Sequence, residues 1–231
     1  MAYKTTKEVQ ERKDEKRRHI LDTAIKVFAR CGYHGTTVKD IVDEAGISVG
    51  SFYFYFRNKE DLFEILYDEM YVVLFQEMHE VLNFDENGVA KNFATAIVTF
   101  FSVLEERREL TKIMMIEAIG LNPRFEEKRA EVTRKFEMHL ATSMKELMLK
   151  KKIDVPDAEV TSIAFIGTIY NTITSWLQRS EEASIQHFIL PLVIYNLKGI
   201  GIQFNEEEIK QYITETLFER MKTQGEGMNI E

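Results

Sequence analysis

The sequence predicts an all-α fold, and three observations carry the prediction. Proline occurs only at positions 123, 156 and 191, and glycine is sparse, so little in the chain forbids helix. Apolar residues recur at three- and four-residue intervals almost throughout, the period of one helix face. No stretch alternates apolar with polar residues between turn signals, as a half-buried strand would.

Each element follows from local signals. A first helix is expected over residues 14–31, with Ile20, Ala24, Val27, Phe28 and Cys31 on one buried face and Gly32 ending it. A short second helix opens at Thr37, with Asp40 placed to complete a capping box, and stops at Ala45-Gly46. Ser48 is a good N-cap for a third, ending near Phe56. Asn58, with Asp61 at its box position, starts a fourth that runs towards Val81. Residues 83–88 form a polar break. Further helices are expected over residues 89–107, 109–120, 124–152, 157–179 and 184–198, where Pro191 should kink the chain. The last, residues 206–223, follows Asn205 with Glu208 at its box position.

The 231 residues suffice for a small module plus one larger domain: residues 1–62, with a basic arm over 1–16, and residues 63–231. A folded chain this long buries roughly 70% of the surface its unfolded form exposes, so no covalent staple is needed. The single cysteine forbids an intramolecular disulfide and fits a reducing, cytoplasmic location. Residues 1–13 are polar, without the apolar region of a signal peptide. Residues 188–195 are apolar but too few to span a bilayer. Net charge is −8, yet it is split. Residues 1–60 hold 12 Lys and Arg against 9 Asp and Glu, a surplus of +3, and the remainder carries −11. A basic head on an acidic body suits a module that meets phosphate.

That head contains the stretch from Gly32 to Leu62, GYHGTTVKDIVDEAGISVGSFYFYFRNKEDL. It reads as two short helices joined by the turn Ala45-Gly46-Ile47-Ser48, where Gly46 supplies a left-handed backbone. Ile41, Val42, Ala45 and Ile47 can face a core with Phe28 and Leu62. Val49, Gly50, Ser51, Tyr53 and Phe54 are then presented outward on a small helix that fits a major groove.

The segment resembles the DNA-binding domain of the tetracycline-repressor (TetR) family. Gly32-Tyr33, Thr36-Thr37, Ile41, Ala45-Gly46-Ile47-Ser48, Gly50, Tyr53, Phe56, Lys59-Glu60 and Leu62 carry the likeness, over about residues 17–67. The resemblance implies a double-stranded DNA operator as partner. It implies that Thr37 opens a helix whose N-terminal amides face a phosphate. Tyr33, Tyr55 and Lys59 match backbone-holding positions, Val49, Gly50, Ser51, Tyr53 and Phe54 match the recognition helix, and Thr36 and Ser48 are counted with them as DNA-binding. Phe54 departs from the polar or histidine residue often found there, which makes a thymine methyl its target. Arg12, Lys13, Lys16, Arg17 and Arg18 form the basic arm, read either as a phosphate contact or as a solubilising tail.

The body offers a homodimer interface and an effector site. Residues 157–179 and 184–198 are apolar around nearly their whole circumference, so each must be buried on all sides. A four-helix interface between two subunits would do this, through Ile166, Ile169, Ile173, Trp176, Ile189 and Val193, as TetR-like proteins use their penultimate region. A purely internal core is the other reading. Phe100, Leu104, Met114 and Phe136 can line an adaptable pocket for a small hydrophobic or amphipathic effector. Glu117, His139, Asn171 and Gln178 are polar residues on apolar helices and can orient it. A buried, ionised Glu117 favours a cationic amphiphile, whereas Arg107 or Arg134 at the mouth favours an acyl-CoA or other anion.

Other function classes have weaker support. Gly46-Ile47-Ser48-Val49-Gly50 matches the nucleophile elbow of hydrolases, but that chemistry requires a strand before the serine, and the preceding residues are helical. The five histidines are scattered, without metal-ligand spacing. No cofactor or enzymatic activity is expected. A helical small-molecule carrier is the alternative from another class, separated by a test of salt-dependent, sequence-selective DNA binding.

Overall fold

The computed structural model describes residues 7–81, 88–118, 120, 123–179 and 184–227. They form ten α-helices with no strand among them. The polar break expected over residues 83–88 lies outside the described residues except for Gly88, as do residues 1–6 of the basic arm. The chain divides into two compact units. One reaches to Tyr71 and takes in Arg107–Glu126; the other holds Val72–Glu106 and the chain from Glu127 onward.

In the first unit, α1 (Lys7–Gly35) starts seven residues earlier than the expected Asp14. Its first turns lack Gly and Pro and carry i,i+4 pairs, Gln10 Nε2 to Asp14 at 3.0 Å and Lys7 with Glu11 at 3.7 Å. Gly32 breaks α1 at φ 71, ψ 159, a conformation that residues with a Cβ resist. The break reverses one expectation. Cys31 is exposed, while Tyr33 folds back and is buried against Phe28, their rings 5.3 Å apart. α2 (Val38–Ala45) and α3 (Val49–Tyr55) follow, then α4 (Lys59–Val81). Phe28, Tyr33, Phe63 and Phe125 form one aromatic cluster with centroids 5.0–6.1 Å apart.

Residues 107–126 complete this unit. α6 (Arg108–Lys112) passes directly into a π-helical stretch, Ile113–Glu117, where one α-helix was expected over residues 109–120. α7 (Pro123–Leu149) begins on Pro123, the position where a missing N–H costs nothing. It brings Phe125 to the aromatic cluster and Arg124 to within 2.6 Å of the Glu64 carboxylate.

The second unit packs α5 (Val89–Glu106), α8 (Ala158–Leu177), α9 (Gln186–Gly199) and α10 (Glu206–Gly227) with the rest of α7. Phe93, Phe101, Trp176, Ile173, Ile189 and Val193 are almost fully buried, and each such side chain contributes about 1.5–3 kcal/mol. α9 stays helical through Pro191; the proline is exposed in an early turn and removes a single helix bond. α10 packs on α5 through Ile209 and Ile213, with Tyr212 Oη 2.8 Å from Thr95 Oγ1.

Candidate nucleic-acid interface and effector cavity

Two caps and one glycine set the reading helix. Thr37 donates from its hydroxyl to Asp40 at 2.6 Å, and Asp40 N–H donates back at 3.2 Å. The Thr37 N–H reaches the same carboxylate at 2.7 Å. These hydrogen bonds, the hydroxyl's first, hold Asp40 below the usual carboxylate range. Gly46 ends α2 at φ 64, ψ 34. Ile47 N–H returns to Val42 O at 3.1 Å, and Ile47 itself is only half-buried. Ser48 then caps α3, accepting from Ser51 N–H at 3.1 Å.

The seven residues of α3 have two unlike sides. Phe52 and Phe56 are buried, with their rings 5.5 Å apart. Val49, Tyr53 and Phe54 stand 49%, 53% and 66% exposed, beside the exposed Ser48 and Gly50. Ser51 and Tyr55 are half-buried at the margin, and Tyr55 meets Phe54 edge-on at 4.9 Å. Packing against the unit's core thus fixes one side, and an apolar, aromatic surface is left on the other.

Three residues expected at the DNA are instead held by contacts within the unit. Tyr33 is buried and its hydroxyl donates to Glu60 at 3.4 Å; burial, then the Glu60 charge, pushes the phenol above its ordinary range. Thr36 is buried and donates to Gly32 O at 2.7 Å. Lys59 donates to the Tyr33 and Thr36 carbonyls, both at 2.7 Å, and lies 4.2 Å from the Tyr33 ring centroid. Partial burial pulls this ammonium below the usual lysine range. Thr37 remains on the surface. The reason is Gly32: a broken helix leaves carbonyls short of regular helical partners, and Lys59 and the Thr36 hydroxyl donate to them.

Glu117, read from sequence as an effector ligand, belongs to this same unit. Its carboxylate accepts from Tyr33 N–H at 3.3 Å, the donor freed by the break. Met114 is buried in the same π-helical stretch.

The cavity lies in the second unit, among α5, α7 and α8. Phe93, Ala96, Ile97, Phe100, Phe136, His139, Leu140, Phe165, Ile166 and Ile169 line about 50 Å³. That is room for little more than one water. Of the sequence candidates, Phe100, Phe136 and His139 lie here. Leu104 is buried elsewhere on α5. Asn171 and Gln178 are exposed, so neither can orient a buried ligand. The amide side chain that is buried among the described residues is Asn196, which accepts from Thr168 Oγ1 at 2.9 Å and donates to Leu192 O at 2.9 Å. The sequence signal, an amide within an apolar run, was the same for Asn171 and Asn196; only packing separates them.

The model of bacterial regulatory proteins of the tetR family matches residues 20–66, the span from the first buried turn of α1 to the start of α4. Residues 20–66 are thus a tetR-family DNA-binding segment. The chain is a DNA-binding transcriptional regulator, and residues 20–66 hold the geometry just described. The regulator is 27% identical, over 183 residues, to the fatty acid metabolism regulator protein of Bacillus subtilis, covering 76% of this chain and 92% of that one. Its fold is similar to FadR, the fatty acid degradation regulator of Bacillus halodurans, with a TM-score of 0.72 at 22% identity over 81% and 97% of the two chains. It is also similar to FadR of Bacillus subtilis in complex with stearoyl-CoA, with a TM-score of 0.69 at 24% identity over 79% and 98%.

The regulator's α8 and α9 place the expected interface residues inward. Ile169, Ile173, Trp176, Ile189 and Val193 are buried within this one chain, and Ile166 is half-buried at the cavity. When a helix is apolar all round, its own core takes the best-packed stripe. The stripe left outside carries Val160, Ile163 and Ala164 on α8 and Pro191 and Tyr195 on α9. No helix among the described residues is long and apolar enough to cross a membrane.

Proposed function

We propose that the regulator is a homodimeric repressor that binds a pseudopalindromic operator through α3 and is released when the acyl chain of an amphipathic effector enters the α5–α7–α8 cavity. The observation that carries it is α3 itself: a capped helix with one side locked in the core and Val49, Tyr53 and Phe54 exposed. Apolar and aromatic side chains of this kind read thymine methyls. Dimerisation through the outer stripe of α8 and α9 supplies the second reading head, spaced by one turn of DNA, ~34 Å.

An acyl chain is supported by the cavity, whose lining is hydrocarbon apart from His139, and by the naming of the Bacillus subtilis relatives for fatty acid metabolism and for bound stearoyl-CoA. The anionic end has a cation on the same helix. Arg129 lies seven residues, or about two turns, before Phe136 on α7, and donates to Tyr170 Oη of α8 at 3.2 Å. Arg107 and Arg134, the sequence candidates, are exposed.

The cavity must widen to admit a chain, because ligand pockets span roughly 300–1,000 Å³. An effector therefore binds a repacked state with Phe100 and Phe136 displaced, and shifts the population by its preference for that state. The test is fluorescence anisotropy on duplexes tiling the gene's upstream region, with random DNA and a salt titration, followed by CoA and acyl-CoAs of increasing length. One tile bound at least ~10³-fold above random DNA, and released by long-chain acyl-CoA but not CoA, is expected. Binding no better than random at every salt concentration overturns the repressor reading in favour of a carrier.

A further inference from the structure

We infer that the turns of α1 ahead of the matched domain are a second DNA-contacting element, in which Lys13, with Arg12 and Lys16, holds the phosphate backbone flanking the segment read by α3. The inference rests on the reading of α3 as the recognition helix. The tetR-family match begins at residue 20, yet α1 is helical from Lys7. The additional turns are tied to the reading helix at one point, where Lys13 Nζ lies 5.6 Å from the centroid of Phe54, the most exposed side chain of α3.

The cations of this segment differ in what they can still do. Arg17 and Arg18 both pair with Glu69, at 3.3 and 2.8 Å, and Arg17 also covers the Phe56 ring. They hold α1 against α4. Arg12, Lys13 and Lys16 have no acidic partner among the described residues. At about 100° per residue, these three fall within one arc of about 100°. Glu8, Glu11, Asp14 and Glu15 fall on a separate arc of about 120°, towards the opposite side. The segregation leaves an acid-free basic stripe, and Lys13 anchors that stripe to the edge of α3. Three flexible cations beside an apolar reading surface suit the sugar-phosphate backbone, which positions a protein without reading sequence. The Lys13 ammonium meets the ring near the outer limit of a cation–π contact, about 6 Å, so it can turn to an anion.

The experiment compares the full chain with Lys13→Met, which keeps a side chain of similar length and removes the charge, and with the triple variant Arg12→Gln, Lys13→Met, Lys16→Gln. The readouts are operator anisotropy across salt, hydroxyl-radical footprinting and urea unfolding. Each phosphate contact contributes about 0.9 to the salt slope, or about 3.5-fold in affinity between about 50 and 200 mM salt. Lys13→Met is expected to lose one such step and the triple variant about two to three, with operator preference and unfolding midpoint unchanged and protection lost only at the flanking backbone. Parental slope and footprint in the triple variant overturn the inference. So does a lowered unfolding midpoint with an unchanged slope, which makes Lys13 packing alone. If the parent chain binds its operator no better than random DNA, the reading of α3 falls and this extension falls with it.

Discussion

Lys59→Met replaces the ammonium that bridges the broken end of α1 with a side chain of similar reach and no donor. Two hydrogen bonds to carbonyls at 2.7 Å are lost, with a cation held 4.2 Å from the Tyr33 ring. Hydrogen bonds from a charged donor are worth about 1.5–3 kcal/mol each, and an exposed cation–π contact about 0.5–1 kcal/mol. Because Lys59 is partly open to water, low-end values apply, and methionine keeps some contact with the ring. A loss of about 3 kcal/mol is expected. With a urea slope of about 2–3 kcal/mol per M, the midpoint falls by about 1 M. Far-UV circular dichroism should follow it, since the sole tryptophan, Trp176, lies in the other unit. The salt slope of operator binding should hold steady once the protein is folded. An unchanged midpoint with a slope lowered by about 0.9 would refute the clamp and return Lys59 to the DNA backbone.

Other perturbations have separate readouts. Gly46→Ala and Gly201→Ala both force a positive φ on alanine, but only at Gly201 would the new Cβ meet backbone, 2.9 Å from Asp154 O. Thermal unfolding should show about 1–2 kcal/mol lost at Gly46 and a larger loss at Gly201. Thr37→Ala removes the N-cap of α2 and should lower stability by about 1 kcal/mol. Asp40 is depressed by its bonds to Thr37, so the box stabilises above the ordinary carboxylate range and is lost as pH falls through Asp40's own lower value. The difference between Thr37→Ala and parent should therefore shrink in acid, measured by unfolding at stepped pH. Ile163→Glu places a charge on the outer stripe of α8 and should give monomers by light scattering without loss of helix; an unchanged mass would move the interface elsewhere.

Much of the reading unit was legible because its signals are local. Thr37, Gly46 and Ser48 act on residues within four positions of themselves, and the structure shows each acting as a cap or turn. The roles of Tyr33, Thr36 and Lys59 were not legible, because they depend on carbonyls exposed by a break at Gly32 and on a carboxylate 84 residues away. In the body, Trp176 and Ile173 face inward and Val160 and Ile163 outward. With both sides of the helix apolar, periodicity has no preferred direction to report. The cavity depends on three helices converging and leaves no mark on any one of them.

The hydrogen bond from Tyr33 to Glu117, and the packing of Phe125 on Phe63, have a consequence during synthesis. The reading unit is not finished when its last helix-turn-helix residue has been added; it draws on residues up to Glu126. From Tyr71 to Glu126 the ribosome must add 55 residues, which takes about 3–11 s at 5–20 residues per second. For that interval Tyr33 and Phe63 lack the Phe125 ring that packs on them. The nascent head is then an aromatic surface without a lid, open to chaperones before it is competent for DNA.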